Sequence, residues 1–430
     1  MPGSRGGQAV TTAPKQVTYE DGLRLVQTLV GDGRLPMAVR WADRLCRHRP
    51  DDARAHNQAG LVRQRLGRPD AAVLRFRRAV LLQPDAAELW VNLGNALRHV
   101  AAFDEALLSR FRGVLCRPDE SDMRLSYALG LLAAGDYRRG FAEYEHRENR
   151  SKGLARYAEA GWPLWDGRIR PGGRILLATE QGAGDAVQFV RFVRPLAERG
   201  MEVVIACPPG LQRLLRSAPG VAAVTGPDPS GSPAAFGGVD MLLSLPARLG
   251  LEDDVLRLAG RYIEPPEPAF RVPAVEGLRV GLCWTGNVAT PLNEMRRIVF
   301  GELARLLDTP GAVFYGLQVA AGSGASAGEP RLLDLSPHIE DFADTAAMID
   351  QMDLVITVDT SVAHMAGALG KPVWTLLARV ADWRWGHDGE TSAWYPSMRL
   401  FRQSRAGDWS DVVARVADEL RRLAGFRLRR

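Results

Sequence analysis

Lysine is nearly absent from this 430-residue chain: among 55 basic residues only Lys15, Lys152 and Lys371 are lysines. Arginine has replaced it almost everywhere, which reads as a compositional bias of the coding sequence. The net charge of +5 therefore carries no nucleic-acid function, because the excess lies in the first 150 residues and is spread rather than gathered into a patch. Cysteine is scarce too. Cys46, Cys116, Cys207 and Cys283 stand far apart, with no CxxC pair and no metal-ligand spacing, so they read as small buried side chains in a reducing compartment. No apolar run approaches the length of a membrane span. Residues 1–18, rich in Gly, Thr and Pro, lack the apolar stretch of a secretory signal and are expected to be disordered. The expectation is a cytoplasmic protein. A chain of this length is too long for one core, and 46% hydrophobic residues supply enough apolar material for two or three domains.

What is present first is a repeat. Pro-Asp recurs at Pro50-Asp51, Pro84-Asp85 and Pro118-Asp119, at intervals of 34 residues. Within that frame small and apolar residues return at fixed offsets: Ala59-Gly60, Ala72, Phe76 and Ala79 in one unit, Leu93-Gly94, Ala106 and Gly113 in the next. Small residues let paired antiparallel helices approach closely, and the proline stops the second helix of each pair. A looser unit covers residues 19–50, and a last one runs from Ser121 to about Arg150, with Tyr127, Gly140 and Tyr144. Residues 19–150 resemble the tetratricopeptide repeat, an α-solenoid. Such an array is either a solubilising or dimerising appendage or a groove for an extended polypeptide. Homo-oligomerisation stays open.

After residue 170 the periodicity changes. Arg174–Thr179 predicts a buried strand, followed by a Gly-rich turn and a helix over 185–199. Strands follow at Val203–Ala206, Val221–Val224 and Met241–Leu243, with a helix near Leu211–Ser217. A proline-rich stretch, Glu264–Gly277, reads as a linker. A second succession has strands at Arg279–Trp284, Val313–Leu317, Leu332–Leu335, Leu354–Val358 and Pro372–Leu376. Helices are expected from Glu302, at Thr345–Gln351 and from Thr360, and a Gly/Ser-rich loop at 320–328. Alternating strands and helices imply parallel sheets, and two such lobes place a ligand cleft between their strand C-termini.

Three segments carry candidate chemistry. In Glu180–Asp185 the glycines Gly182 and Gly184 allow a tight turn, and Asp185 either caps the next helix or takes a proton from an acceptor hydroxyl. In Val358–His364 a strand ends at Asp359, and Thr360, Ser361 and Val362 open a helix whose N–H groups suit a diphosphate. His364, one turn on, is either a packed side chain or a further phosphate donor. The loop Gly286–Arg297 ends in Arg296 and Arg297, guanidinium forks suited to phosphate, with a solvated surface pair as the alternative for one of them.

These segments, with VGLCWTGN, DWRW and WYPSMRLFRQ, make residues 160–425 resemble the heptosyltransferase-like family, glycosyltransferase family 9, and its bacterial members with N-terminal tetratricopeptide repeats. The resemblance implies a GT-B fold of two Rossmann-like lobes, over 151–268 and 269–430. It implies inverting transfer from a nucleotide sugar without metal or other cofactor. Asp185 would be the base. Asp359, Thr360, Ser361, Val362 and His364 would cradle the donor diphosphate, with Arg296 or Arg297 at the leaving group and Gln318 near the nucleotide. The expected acceptor is Ser/Thr of a protein such as flagellin, recruited by the repeats. The alternatives are a lipopolysaccharide or other glycan, a nonulosonic-acid donor on a nucleoside monophosphate, or a non-catalytic scaffold. Ala183, Asn293-Glu294-Met295 and Ala378-Arg379 depart from the family pattern and bear on the donor's identity.

Overall fold

The computed structural model describes residues 18–228, 232–250, 260–286, 293–319 and 328–427. The segment expected to be disordered, 1–18, lies outside the described residues except for Thr18, as does 320–327 of the Gly/Ser-rich loop. The chain divides into two compact units, Met1–Arg117 and Pro118–Arg430.

The first unit is built of antiparallel helix pairs: α1 (Tyr19–Gly31) with α2 (Leu35–His48), α3 (Ala53–Arg65) with α4 (Pro69–Leu82), and α5 (Ala87–His99) with α6 (Phe103–Cys116). Thr18 and Asp52 cap α1 and α3 through their side-chain oxygens, while Pro36 and Pro69 sit in the first turns of α2 and α4, where no N–H is needed. The repeated small residues mark the helix contacts. A Cβ on Gly60 would stand 2.5 Å from the Phe76 ring, and one on Gly94 would stand 3.0 Å from the Ala106 carbonyl oxygen. Ala59, Ala72, Phe76 and Ala79 are fully buried between them.

The second unit opens with three more helices, α7 (Ser121–Ala133), α8 (Tyr137–Tyr144) and α9 (Glu148–Glu159). Then come β1 (Arg174–Ala178), α10 (Ala183–Phe189), α11 (Arg194–Glu198), β2 (Glu202–Ala206), α12 (Pro209–Leu215), β3 (Val221–Thr225), β4 (Val239–Met241) and α13 (Leu245–Leu249). The helix expected over 185–199 is interrupted by a 3₁₀ turn at Val190–Val193. Pro195 explains the break, since it cannot donate to the carbonyl one turn back. The strand expected at Met241–Leu243 lies two residues earlier, and its end curls into a 3₁₀ turn.

After the linker, whose Val272 N–H donates to Gln351 Oε1 at 2.8 Å, the second lobe begins. It contains β5 (Leu278–Cys283), α14 (Asn293–Arg296), α15 (Phe300–Leu303), β6 (Ala312–Gly316), β7 (Leu332–Asp334), α16 (Phe342–Asp350), β8 (Leu354–Val358), α17 (Ser361–Ala368), β9 (Val373–Leu377), β10 (Met398–Arg402) and α18 (Ser410–Arg427). Strand β10 is an addition to the expected set; it is only five residues long and follows Pro396 closely.

Both sheets are parallel, in the orders β3-β2-β1-β4 and β10-β9-β8-β5-β6-β7. The larger sheet runs outward from β5 in one direction and from β8 in the other. That reversal opens a crevice at the C-terminal ends of β5 and β8. The lobes meet where α10 packs on α17 and α12 on α16. Arg213 of α12 pins the second contact, reaching Asp341 at 3.0 Å and Asp344 at 3.2 Å.

Candidate active site

The first lobe contributes the loop between β1 and α10. Gln181 adopts a left-handed backbone, φ +60°, which turns the chain sharply so that Gly182 becomes the cap of α10. Asp185 folds back over that cap, its Oδ2 accepting the Gly182 N–H at 2.8 Å. Its Oδ1 accepts from the Arg384 guanidinium of the second lobe. Both readings of Asp185 are thus geometrically available: it caps its helix and its carboxylate reaches the lobe boundary. Gly184 faces α17 at a separation only glycine tolerates. A Cβ there would lie 2.7 Å from His364 Cδ2 and 3.5 Å from Ser361 Cα.

The second lobe contributes the β8–α17 junction. Thr360 stands just before α17 with extended backbone, but its Oγ1 turns away from the helix amides to lie 3.0 Å from Thr357 Oγ1. No side chain accepts from the first turn of α17 among the described residues, so the amides of Ser361 and Val362 remain for an anion. Thr360 and Ser361 are half-buried and Val362 is buried. His364 is buried, its Nδ1 2.9 Å from Tyr395 Oη and its ring stacked on Trp385 at 5.2 Å. Burial, aided by the charge of Arg384, pushes its pKa well below the ordinary histidine value. It is therefore neutral at physiological pH.

Between these pieces runs a line of alternating charge. Asp185 pairs with Arg384, Arg384 with Asp382 at 2.8 Å, Asp382 with Arg296 at 3.4 Å, and Arg296 with Asp359 at 3.2 Å. Burial raises the Asp359 pKa to about 6, against the pull of Arg296. Burial acts on Asp382 in the same direction, but Arg384 and Arg296 outweigh it and hold Asp382 below its ordinary value. Burial also works against the charge of Arg384, yet Asp185 and Asp382 prevail and raise its pKa.

The structure thus brings Gly182, Gly184, Asp185, Arg296, Asp359, Thr360, Ser361, Val362 and His364 to the junction of the lobes. Arg297 is elsewhere: it is exposed and forms a surface pair with Glu294 at 2.6 Å. Gln318 is buried at the end of β6. Its Oε1 accepts the Trp284 and Thr285 N–H groups at 3.2 and 3.0 Å, so its amide serves the turn after β5. Of the loop before Arg296, residues 287–292 lie outside the described residues. Sequence reasoning missed Asp382, Arg384 and Tyr395. A signal was present for the first two: an acid and a base two positions apart between apolar residues, in Asp382-Trp383-Arg384-Trp385. Both tryptophans are buried in the core, 4% and 2% exposed.

Residues 328–405 match the family model described as "Glycosyltransferase family 9 (heptosyltransferase)". The chain is 28% identical over 455 residues to Protein FlbA of Caulobacter vibrioides, covering 87% of this chain and 74% of that protein. Among solved structures it is similar to a mutant of the Thermobaculum terrenum O-GlcNAc transferase, at 18% identity and TM-score 0.32, over 95% of this chain and 93% of that one. The MamA protein is similar at 19% identity and TM-score 0.28, over 33% of this chain and 82% of that one. In chain order, helical repeats precede two parallel sheets, and the segment matching the family 9 model lies in the second. Over residues 328–405 of its second lobe the chain is similar to family 9. Among the described residues no helix is long and apolar enough to cross a membrane.

Proposed function

We propose that the protein is an inverting, metal-independent transferase that moves a sugar from a nucleotide-activated donor to a hydroxyl. The observation that carries this reading is the convergence of Asp185, from the first lobe, with the uncapped N-terminus of α17, from the second, across the Gly184–His364 contact. In the proposed reaction the acceptor oxygen attacks the anomeric carbon as its proton passes to Asp185. The bond from that carbon to the phosphate oxygen breaks, and the nucleoside diphosphate departs against the Ser361 and Val362 amides. Preorganised donors at the place where charge develops stabilise the transition state. Arg296 is the arginine for the leaving group, since Arg297 is engaged on the surface. His364, neutral, offers Nε2–H as a donor when Tyr395 donates to Nδ1. Arg384 orients the Asp185 carboxylate.

The acceptor we propose is Ser or Thr of a protein, flagellin being one such substrate, delivered by the repeats in the cytoplasm. The array supports this because stacked helix pairs present an extended surface to a polypeptide. The first test is a melting-temperature screen against ADP-, UDP-, GDP-, TDP- and CMP-linked sugars, since a ligand that binds only the folded state raises the melting temperature. A shift with one nucleotide, lost in a Thr360→Ala/Ser361→Ala double variant, supports the donor site. An Asp185→Asn protein that binds that donor and transfers at the wild-type rate overturns the mechanism.

A further inference from the structure

The fourth helical pair stands apart from the others: α7 and α8 belong to the compact unit that holds both sheets. Two side chains at its end reach the loop that carries Asp185. The Gln181 side-chain amide donates to Tyr144 Oη at 2.7 Å. Three residues further on, Arg147 Nε donates to Glu180 Oε2 at 3.0 Å, and its Nη2 donates to Glu180 Oε1 and, at 3.0 Å, to Ser244 Oγ. Arg147 is 1% exposed, and its guanidinium lies over the Tyr144 ring at 4.8 Å. Two consecutive loop residues, 180 and 181, are thus gripped by two residues three positions apart.

The grip matters because of the backbone it holds. Gln181 is one of only two non-glycine residues with positive φ among the described residues, at +60°. Such a conformation persists only where its surroundings enforce it. Releasing it would swing Gly182, whose N–H fixes Asp185 Oδ2. We infer that Tyr144 is a positioning residue for the transfer: it holds Gln181 in the left-handed conformation and thereby sets the place of the Asp185 carboxylate. The inference rests on the base reading of Asp185 given above.

The test uses the full-length protein with Tyr144→Phe, Gln181→Gly and the two combined. Glycine takes positive φ freely, so Gln181→Gly removes the need for the grip. Hydrogen exchange of the Gly182 amide, read by mass spectrometry of peptides over 180–186, reports the loop directly. Tyr144→Phe should speed that exchange about tenfold, the scale of one lost hydrogen bond, and by less than about twofold in the Gln181→Gly background. Nucleotide release from the panel of sugar nucleotides should slow by a similar factor in Tyr144→Phe, with half-saturating donor and melting temperature little changed. Equal effects of Tyr144→Phe in both backgrounds, or unchanged exchange, overturn the inference. Faster exchange with an unchanged rate also overturns it. A rate indifferent to Asp185→Asn condemns the base reading separately, because the exchange result does not depend on it.

Discussion

Arg384 and Asp185 form an ion pair between the two lobes, with side chains 8% and 18% exposed and 199 positions apart in the chain. The same guanidinium bonds Asp382 at 2.8 Å and the Gln188 side chain. One planar fork thus ties the proposed base to the lobe proposed to bind the donor.

Removing that fork should be costly. Arg384→Ala leaves Asp185 and Asp382 without their main counter-charge, and breaking a buried pair in this way costs about 3–5 kcal/mol. Urea unfolding should show the loss. Arg384→Lys keeps the charge but not the forked geometry, so it should recover part of the stability and little of the transfer rate.

The lobe contact at Gly184 should not accept a methyl group. A Cβ would meet His364 at 2.7 Å, and its neighbours are a buried ring and a helix backbone that yield poorly. Gly184→Ala should therefore lower stability by about 1–3 kcal/mol, the range for overpacking, and weaken donor binding. Calorimetry and the melting screen would read the two effects, and an unchanged melting temperature would count against the close approach.

Asp359 should give a pH signature of defined sign. Its folded pKa is raised to about 6 by burial from an ordinary 3.8. The folded state therefore holds a proton that the unfolded state gives up. Stability from this group is present below about pH 4 and is lost as pH climbs to about 6, after which the penalty is constant. Asp359→Asn should thus gain stability relative to wild type at pH 7, and the gain should fade towards pH 4. A difference that grows on acidification would contradict the assignment.

His364 should not titrate in the working range. Burial holds its pKa well below 6.5, so its ring nitrogens should keep the neutral NMR signature from pH 6 to 8. The linkage runs opposite to that of Asp359: a depressed histidine binds its proton in the unfolded state first, so stability is lost as pH falls below about 6.5. Tyr395→Phe, which removes the partner of Nδ1, should weaken donor binding while leaving the ring neutral.

The repeats were legible because a stacked helix pair imposes its period on the chain: 34 residues apart, Gly60 and Gly94 each sit against the partner helix, Gly60 at Phe76 and Gly94 at Ala106 and Arg110. The strands were legible because both sheets are parallel and covered, so Ile175–Ala178 and Leu354–Val358 read as almost wholly apolar runs, broken only by Thr357. Asp185 and the Asp359–His364 segment stood out for a similar reason. Each lies where a strand gives way to a helix, Asp359 immediately after β8 and Asp185 in the first turn of α10.

What the sequence determined by itself is therefore local or periodic: helix pairs, strands, and the two junctions at which strands give way to helices. Only the tertiary structure decided which distant residues those junctions meet. It set Arg296 beside Asp359 and Arg297 beside Glu294 on the surface, turned Gln318 inward to the β5 turn, and brought Arg384 and Tyr144 to the Asp185 loop. None of these is encoded in spacing along the chain. Side-chain charges and hydrogen bonds act across a few ångströms of space, and that proximity exists only once the two sheets and the last helical pair have packed together.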